Sequence, residues 1–222
     1  MTELVAAVKP RLRGWIHAGM APVVLVGAIV LVALAPTTAG KVSTAVFGVT
    51  AIMLFGTSAI YHRFTWSPRW AAALRRMDHT NIFLIIAGTY TPLAVLLLPA
   101  ATARTLLVVV WAGALAGLLA RVFWLGAPRW LYVPIYVALG WVAVWFLGDF
   151  WHTAATPYGP TIVWLVGAGG LAYTLGAVVY GTKRPNPSPR WFGFHEIFHS
   201  LTVVGYVTHY IAVSIAAYTQ VA

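Results

Sequence analysis

No cysteine occurs anywhere in the 222 residues, which excludes disulfides and thiolate metal ligation. Acidic side chains are nearly as scarce, with 4 Asp and Glu against 14 Lys and Arg. Charged residues of either sign reach only 8%, where a soluble domain carries roughly 25%. Such a chain cannot cover a water-facing surface with polar groups, so lipid must solvate it. Strand-period alternation is also missing, which argues against a β-barrel. What fills the sequence instead is apolar: 61% hydrophobic residues and a mean hydropathy of +0.84. The formal charge of +10 would suggest nucleic acid in a soluble protein. Here the cations lie between apolar runs, where they set membrane orientation, and no nucleic-acid partner is expected.

Seven apolar runs are each near the ~20 residues that a bilayer requires. They cover roughly 16–36, 42–62, 78–98, 103–124, 130–150, 160–180 and 195–217. Backbone groups in lipid must be bonded within their own segment, so these runs read as helices. Pro36-Thr37-Thr38-Ala39-Gly40, Pro99, Pro157-Tyr158-Gly159-Pro160 and the proline-rich stretch from Arg184 to Arg190 supply the breaks. The expected architecture is an all-α, seven-transmembrane helix bundle in a single domain over 1–222. Lys9, Arg11 and Arg13 precede the first run. Arg63, Arg69, Arg75 and Arg76 follow the second, Arg121 and Arg129 the fourth, and Lys183, Arg184 and Arg190 the sixth. Only Lys41 and Arg104 fall in the alternate loops. This asymmetry predicts a cytoplasmic N-terminus, an outside C-terminus and a multi-pass place in the cell's plasma membrane. Trp15, Trp66, Trp70, Trp124, Trp130, Trp151 and Trp191 cluster at run ends, as interfacial anchors do. No cleavable signal is expected, because the first apolar run is full length.

Ionisable groups in membrane helices are costly and are functional candidates by default. Topology sorts them by depth. His62 closes the second run, Asp78 and His79 open the third, and His195 and His199 open the seventh, all toward the cytoplasmic side. His195 and His199 are spaced i, i+4, which puts both imidazoles on one helix face. That is chelating geometry, and without cysteine a zinc site must use nitrogen and oxygen. A third ligand from His62 leaves one tetrahedral position open, the catalytic rather than the structural pattern. Asp78 at the same depth is placed to act on water there as a general base. Ser58, one turn deeper than His62, can donate to Asp78 or to substrate. Read singly, each residue has a plainer meaning. The histidine pair reads as polar groups reaching water, Ser58 as bonded back to its own helix, His17 as interfacial and His209 as a helix-packing hydrogen bonder. Convergence in depth is what singles the group out. His195-Glu196-Ile197-Phe198-His199 also matches H-E-x-x-H, the metalloprotease motif with Glu196 as base. The Leu-Asp-Gly that supplies the third ligand in intramembrane proteases is absent, and Glu196 also suits a helix start.

Three segments together resemble the haemolysin III-type members of the progestin and adipoQ receptor family. They are Ser58-Ala59-Ile60-Tyr61-His62; Met77-Asp78-His79-Thr80 with Gly88-Thr89-Tyr90-Thr91-Pro92; and His195-Glu196-Ile197-Phe198-His199 with His209. The resemblance implies zinc held by His62, His195 and His199 near the cytoplasmic leaflet, with Asp78 and Ser58 beside it. It also implies hydrolysis of a lipid amide or ester, as in ceramidase-like relatives, with a membrane lipid as substrate or ligand. Two alternatives stand beside that expectation. One is a non-enzymatic zinc-containing sensor of membrane lipid state. The other is a pore, although the outer halves of the helices carry almost no charge.

Overall fold

Turn residues decide where each helix begins. Pro36 holds Ala35 extended and ends α1 (Trp15–Leu34). The Thr37 hydroxyl accepts the Gly40 N–H at 3.0 Å and caps α2 (Thr38–Arg63). Pro68 occupies the first turn of α3 (Pro68–Leu97), and Pro99 precedes α4 (Ala100–Phe123). The fifth crossing is composite: α5 (Arg129–Gly140), a 3-10 segment (Trp141–Phe146) and α6 (Leu147–Trp151). Then come α7 (Gly159–Thr182) and α8 (Phe194–Tyr218). This computed structural model describes residues 10–124, 126–153 and 155–220, so Lys9 lies outside it. Within the described residues, seven stretches are long and apolar enough to span a bilayer, with Arg129–Trp151 counted as one. The protein is an all-helical, multi-pass membrane bundle.

Helices α1 to α4 pack on one another in chain order, and α8 lies on α7. Helix α8 also touches α1, α2 and α3, which closes the bundle. Helix α3 is the central element: 72% of its membrane window is buried, against 22% for α1 and 28% for α4 and α7. The outer helices turn Val23, Ile29, Val108 and Trp164 toward lipid. Since lipid is as apolar as these side chains, association rests on close packing and hydrogen bonds between helices. In the Gly167-Ala168-Gly169-Gly170 stretch, close approach needs only one glycine. A Cβ on Gly169 would stand 2.6 Å from His209 Nε2, whereas Gly167 and Gly170 have open space.

Two elements differ from the sequence expectation. Helix α3 starts at Pro68, ten residues before its apolar run, so Asp78 and His79 lie inside the helix instead of at its end. A membrane helix need not stop at the bilayer surface. These first turns carry Arg69, Trp70, Arg75 and Arg76, which suit an interface and sustain a helix. The fifth crossing is broken near Gly140, where lipid-embedded backbone groups need other partners. Tyr90 of α3 provides them: its Oη donates to the Gly140 carbonyl at 2.6 Å and accepts the Ala143 N–H at 2.7 Å. Trp141 adds a bond from its Nε1 to Thr174 Oγ1 at 2.8 Å.

The basic segments gather at one end of the bundle. The Arg11 N–H donates to the Arg190 carbonyl at 2.9 Å, and its guanidinium lies 4.5 Å from the Trp191 ring centre. Arg63 stacks over Trp15 at 3.9 Å, and Arg129 over Tyr180 at 4.6 Å. Six of the seven expected tryptophan anchors are exposed, and Trp66 is half-buried.

Candidate metal centre

The last turn of α2 brings His62 against the first two turns of α8, which carry His195 and His199. The i, i+4 spacing does what it should: the two α8 ring centres are 4.5 Å apart on one face. His62 lies 4.9 Å from His195 and 5.3 Å from His199, ring centre to ring centre. One nitrogen from each of the three lies within 4.8 Å of the others. His62 and His199 are buried, and His195 is half-buried. The two Nε2 atoms of His62 and His195 are 3.3 Å apart. Zinc–nitrogen bonds of about 2.0–2.1 Å in a tetrahedron put neighbouring ligands roughly 3.3 Å apart. The His62–His195 pair matches that separation, and the third nitrogen lies within 4.8 Å of both. The three imidazoles could together hold a metal ion.

Asp78 comes from the third turn of α3, with Oδ2 3.7 Å from His62 Nε2 and 3.9 Å from His79 Nδ1. Its carboxylate thus stands beside the histidine cluster, next to His62. Ser58 is almost completely buried at 1% exposure, and no protein group bonds its Oγ. The expected bond back to its own helix does not form. Ser43, Thr44 and Thr50 on the same helix all make that bond. Ser58, Asp78, His17, His199 and Thr202 line a small cavity of about 40 Å³.

His17 is the residue that sequence reasoning missed. Read as interfacial, it is instead 2% exposed, its ring stacked on His199 at 3.8 Å and 10° from parallel. Its position follows from a glycine. Gly14 takes φ = +81°, and a Cβ there would come within 2.6 Å of the His62 Cβ. The turn before α1 thereby presses on α2 and delivers His17 to the cluster. A lone histidine at a run start carries no sequence signal of this burial.

Glu196, between the two α8 histidines, is occupied elsewhere. Its Oε2 accepts the Gly193 N–H at 2.8 Å, and its Oε1 pairs with Arg13. It caps α8 and ties the segment before α1 to it, so the H-E-x-x-H match does not deliver a base. His79 is also turned aside. Its Nδ1–H donates to the Arg75 carbonyl at 2.7 Å, and Tyr180 Oη donates to its Nε2 at 3.2 Å. His209 packs α8 on α7 through a 3.2 Å bond to the Val166 carbonyl, as expected of a helix-packing residue. Asp149 and His152 are exposed, away from the cluster.

A second cavity, about 100 Å³ and largely apolar, adjoins the first between α3, α5, α7 and α8. Ile85, Tyr173 and Phe198 line both. A small cavity that reaches Asp78, Ser58 and His199 thus shares a wall with an oily one.

The family model for haemolysin-III-related proteins matches residues 5–210. The chain belongs to this family. A curated member, the hemolysin-3 homolog of Bacillus subtilis (strain 168), is 26% identical over 167 residues, covering 74% of this chain and 72% of its own length. The match to the family model takes in α1 to α7 and both α8 histidines, so family membership and the histidine cluster describe one continuous unit.

Proposed function

We propose that this family member is a zinc-dependent membrane hydrolase acting on an amide or ester bond of a lipid. The basic end of the bundle faces the cytoplasm, which puts the site in the cytoplasmic leaflet. One observation carries the reading: three imidazoles whose nitrogens lie within 4.8 Å of one another, with a carboxylate 3.7 Å from one of them. The unbonded Ser58 hydroxyl and the adjoining apolar cavity support it.

Zinc at His62, His195 and His199 would polarise a carbonyl and acidify water. The protein's own groups do the rest. Asp78 takes a proton from the attacking water and returns it to the leaving nitrogen or oxygen, so that water is split between acid and amine or alcohol. Ser58 donates to the carbonyl oxygen and holds the carbonyl carbon toward Asp78. The acyl chain runs past Ile85, Tyr173 and Phe198 into the apolar cavity, which keeps bulk water from the reacting bond. Glu196 and Arg13 fix the start of α8, and with it the spacing of His195 and His199.

The test is metal content of the detergent-purified protein, followed by turnover of lipid amides and esters. About one zinc per chain and release of free fatty acid would support the reading. Bound zinc without turnover on a broad lipid panel would leave a metal-stabilised sensor, and absence of metal from protein prepared without chelators would remove both.

A further inference from the structure

Buried polar atoms that no protein group bonds are expensive, above all in lipid. Among the described residues, five that carry such atoms gather at two cavities. His17 and Ser58 line the small cavity, Tyr136 and His209 line the larger one, and Tyr173 lines both. The larger cavity is the informative one, because its other polar residues are satisfied. Thr89 bonds the Ile85 carbonyl at 2.8 Å, Thr174 bonds that of Gly170 at 2.7 Å, and Tyr90 bridges Gly140 and Ala143. Only the Tyr136 and Tyr173 hydroxyls and His209 Nδ1 remain among its lining groups in the unbonded set.

The chemistry of this trio narrows what it accommodates. The Val166 carbonyl can only accept, so Nε2 of His209 carries the ring proton. Nδ1 of the neutral ring is then an acceptor and requires a donor. The two phenols can donate or accept. No Lys, Arg, Asp or Glu lines the cavity, so a charged group finds no counter-charge. A ketone or ether cannot donate to Nδ1. A hydroxyl can donate to it and accept from a phenol at once. The rest of the lining, Ile85, Ile86, Leu93, Val137, Val166 and Phe198, suits methylene groups.

The geometry points to a lipid whose chain carries a hydroxyl well away from its head, with Tyr136, Tyr173 and His209 as its receptor. This rests on the lipid-hydrolase reading and names the class of acyl chain that such an enzyme would select. His209 is ten residues beyond His199 on α8, about 15 Å along the axis at 1.5 Å per residue. A mid-chain hydroxyl spans that separation when the carboxyl end lies at the histidine cluster, whereas a hydroxyl next to the head group does not.

The experiment compares stearate with 12-hydroxystearate in displacing a fluorescent fatty acid from the detergent-purified full chain. Wild type should bind the hydroxylated acid several-fold to about ten-fold more tightly, the worth of one buried hydrogen bond. Tyr136→Phe and Tyr173→Phe should both bring the ratio toward one, and in Tyr136→Phe stearate binding and metal content should hold, which shows that this variant is folded. Equal binding by wild type, a preference unchanged in both variants, or no binding of either acid would overturn the inference. Binding needs no turnover. A hydroxyl preference without hydrolysis would remove the enzyme and keep the receptor, and hydrolysis without the preference would do the reverse.

Discussion

The two ends of α2 use similar side chains in opposite ways. At its start, Thr37 caps Gly40, Ser43 bonds the Ala39 carbonyl at 2.7 Å, and Thr44 bonds that of Gly40 at 2.7 Å. Every one of these hydroxyls is spent on the helix itself. At its finish, Ser58 leaves its own carbonyls alone, and His62 faces two histidines and an aspartate. Both ends are buried, so burial alone does not mark function. A polar group that forgoes an available local bond does, because the helix offers Ser58 the same carbonyl it offers Ser43.

The largest way to break this contrast is His199→Ala. Bound metal should fall from about one per chain to near zero, read by elemental analysis, since two imidazoles rarely retain zinc against a chelator. Asp78→Asn should keep the metal and lower lipid-amide turnover by about 10²–10⁴, the usual worth of a general base. Wild-type rates in that variant would dismiss Asp78 from the chemistry. A matched pair then tests the two ends of α2 directly. Ser58→Ala should reduce turnover by about ten-fold, one hydrogen bond's worth, with unchanged melting, whereas Ser43→Ala should leave turnover untouched. If the two alanine variants behave alike, the contrast has no functional content. Tyr90→Phe should show the reverse pattern. Removing the hydroxyl that joins Gly140 to Ala143 should lower stability by about 2 kcal/mol, seen as a drop in melting temperature, with the metal retained.

Much of this was readable in the residues. The seven crossings were legible because cations and prolines interrupt the apolar runs. The histidine trio was legible because i, i+4 spacing and loop charge together assign face and depth. The true start of α3 was not. Arg69, Arg75 and Arg76 look like a loop when only hydropathy is weighed, yet a helix continues freely into the interface. The break in the fifth crossing was equally hidden. Residues 130–148 are evenly apolar, and the hydroxyl that stabilises the break comes from Tyr90 on another helix. His17 escaped because its burial depends on a stacking partner 182 positions away and a turn at Gly14, neither of which leaves a periodic trace.

The placing of the three imidazoles has a consequence for biosynthesis. His62 is made early, His195 and His199 late, with His195 133 positions after His62. The first helices leave the ribosome and enter the bilayer carrying His62, Asp78 and the unbonded Ser58 hydroxyl without the wall that completes them. Only when α8 inserts, and Glu196 closes onto Arg13, does the chamber exist. A nascent chain interrupted before Phe194 would therefore have most of its membrane mass and only one of the three histidines that could hold a metal ion. Any metal held by all three histidines would be loaded only after α8 is made, which would make retained metal a report that synthesis reached the last helix.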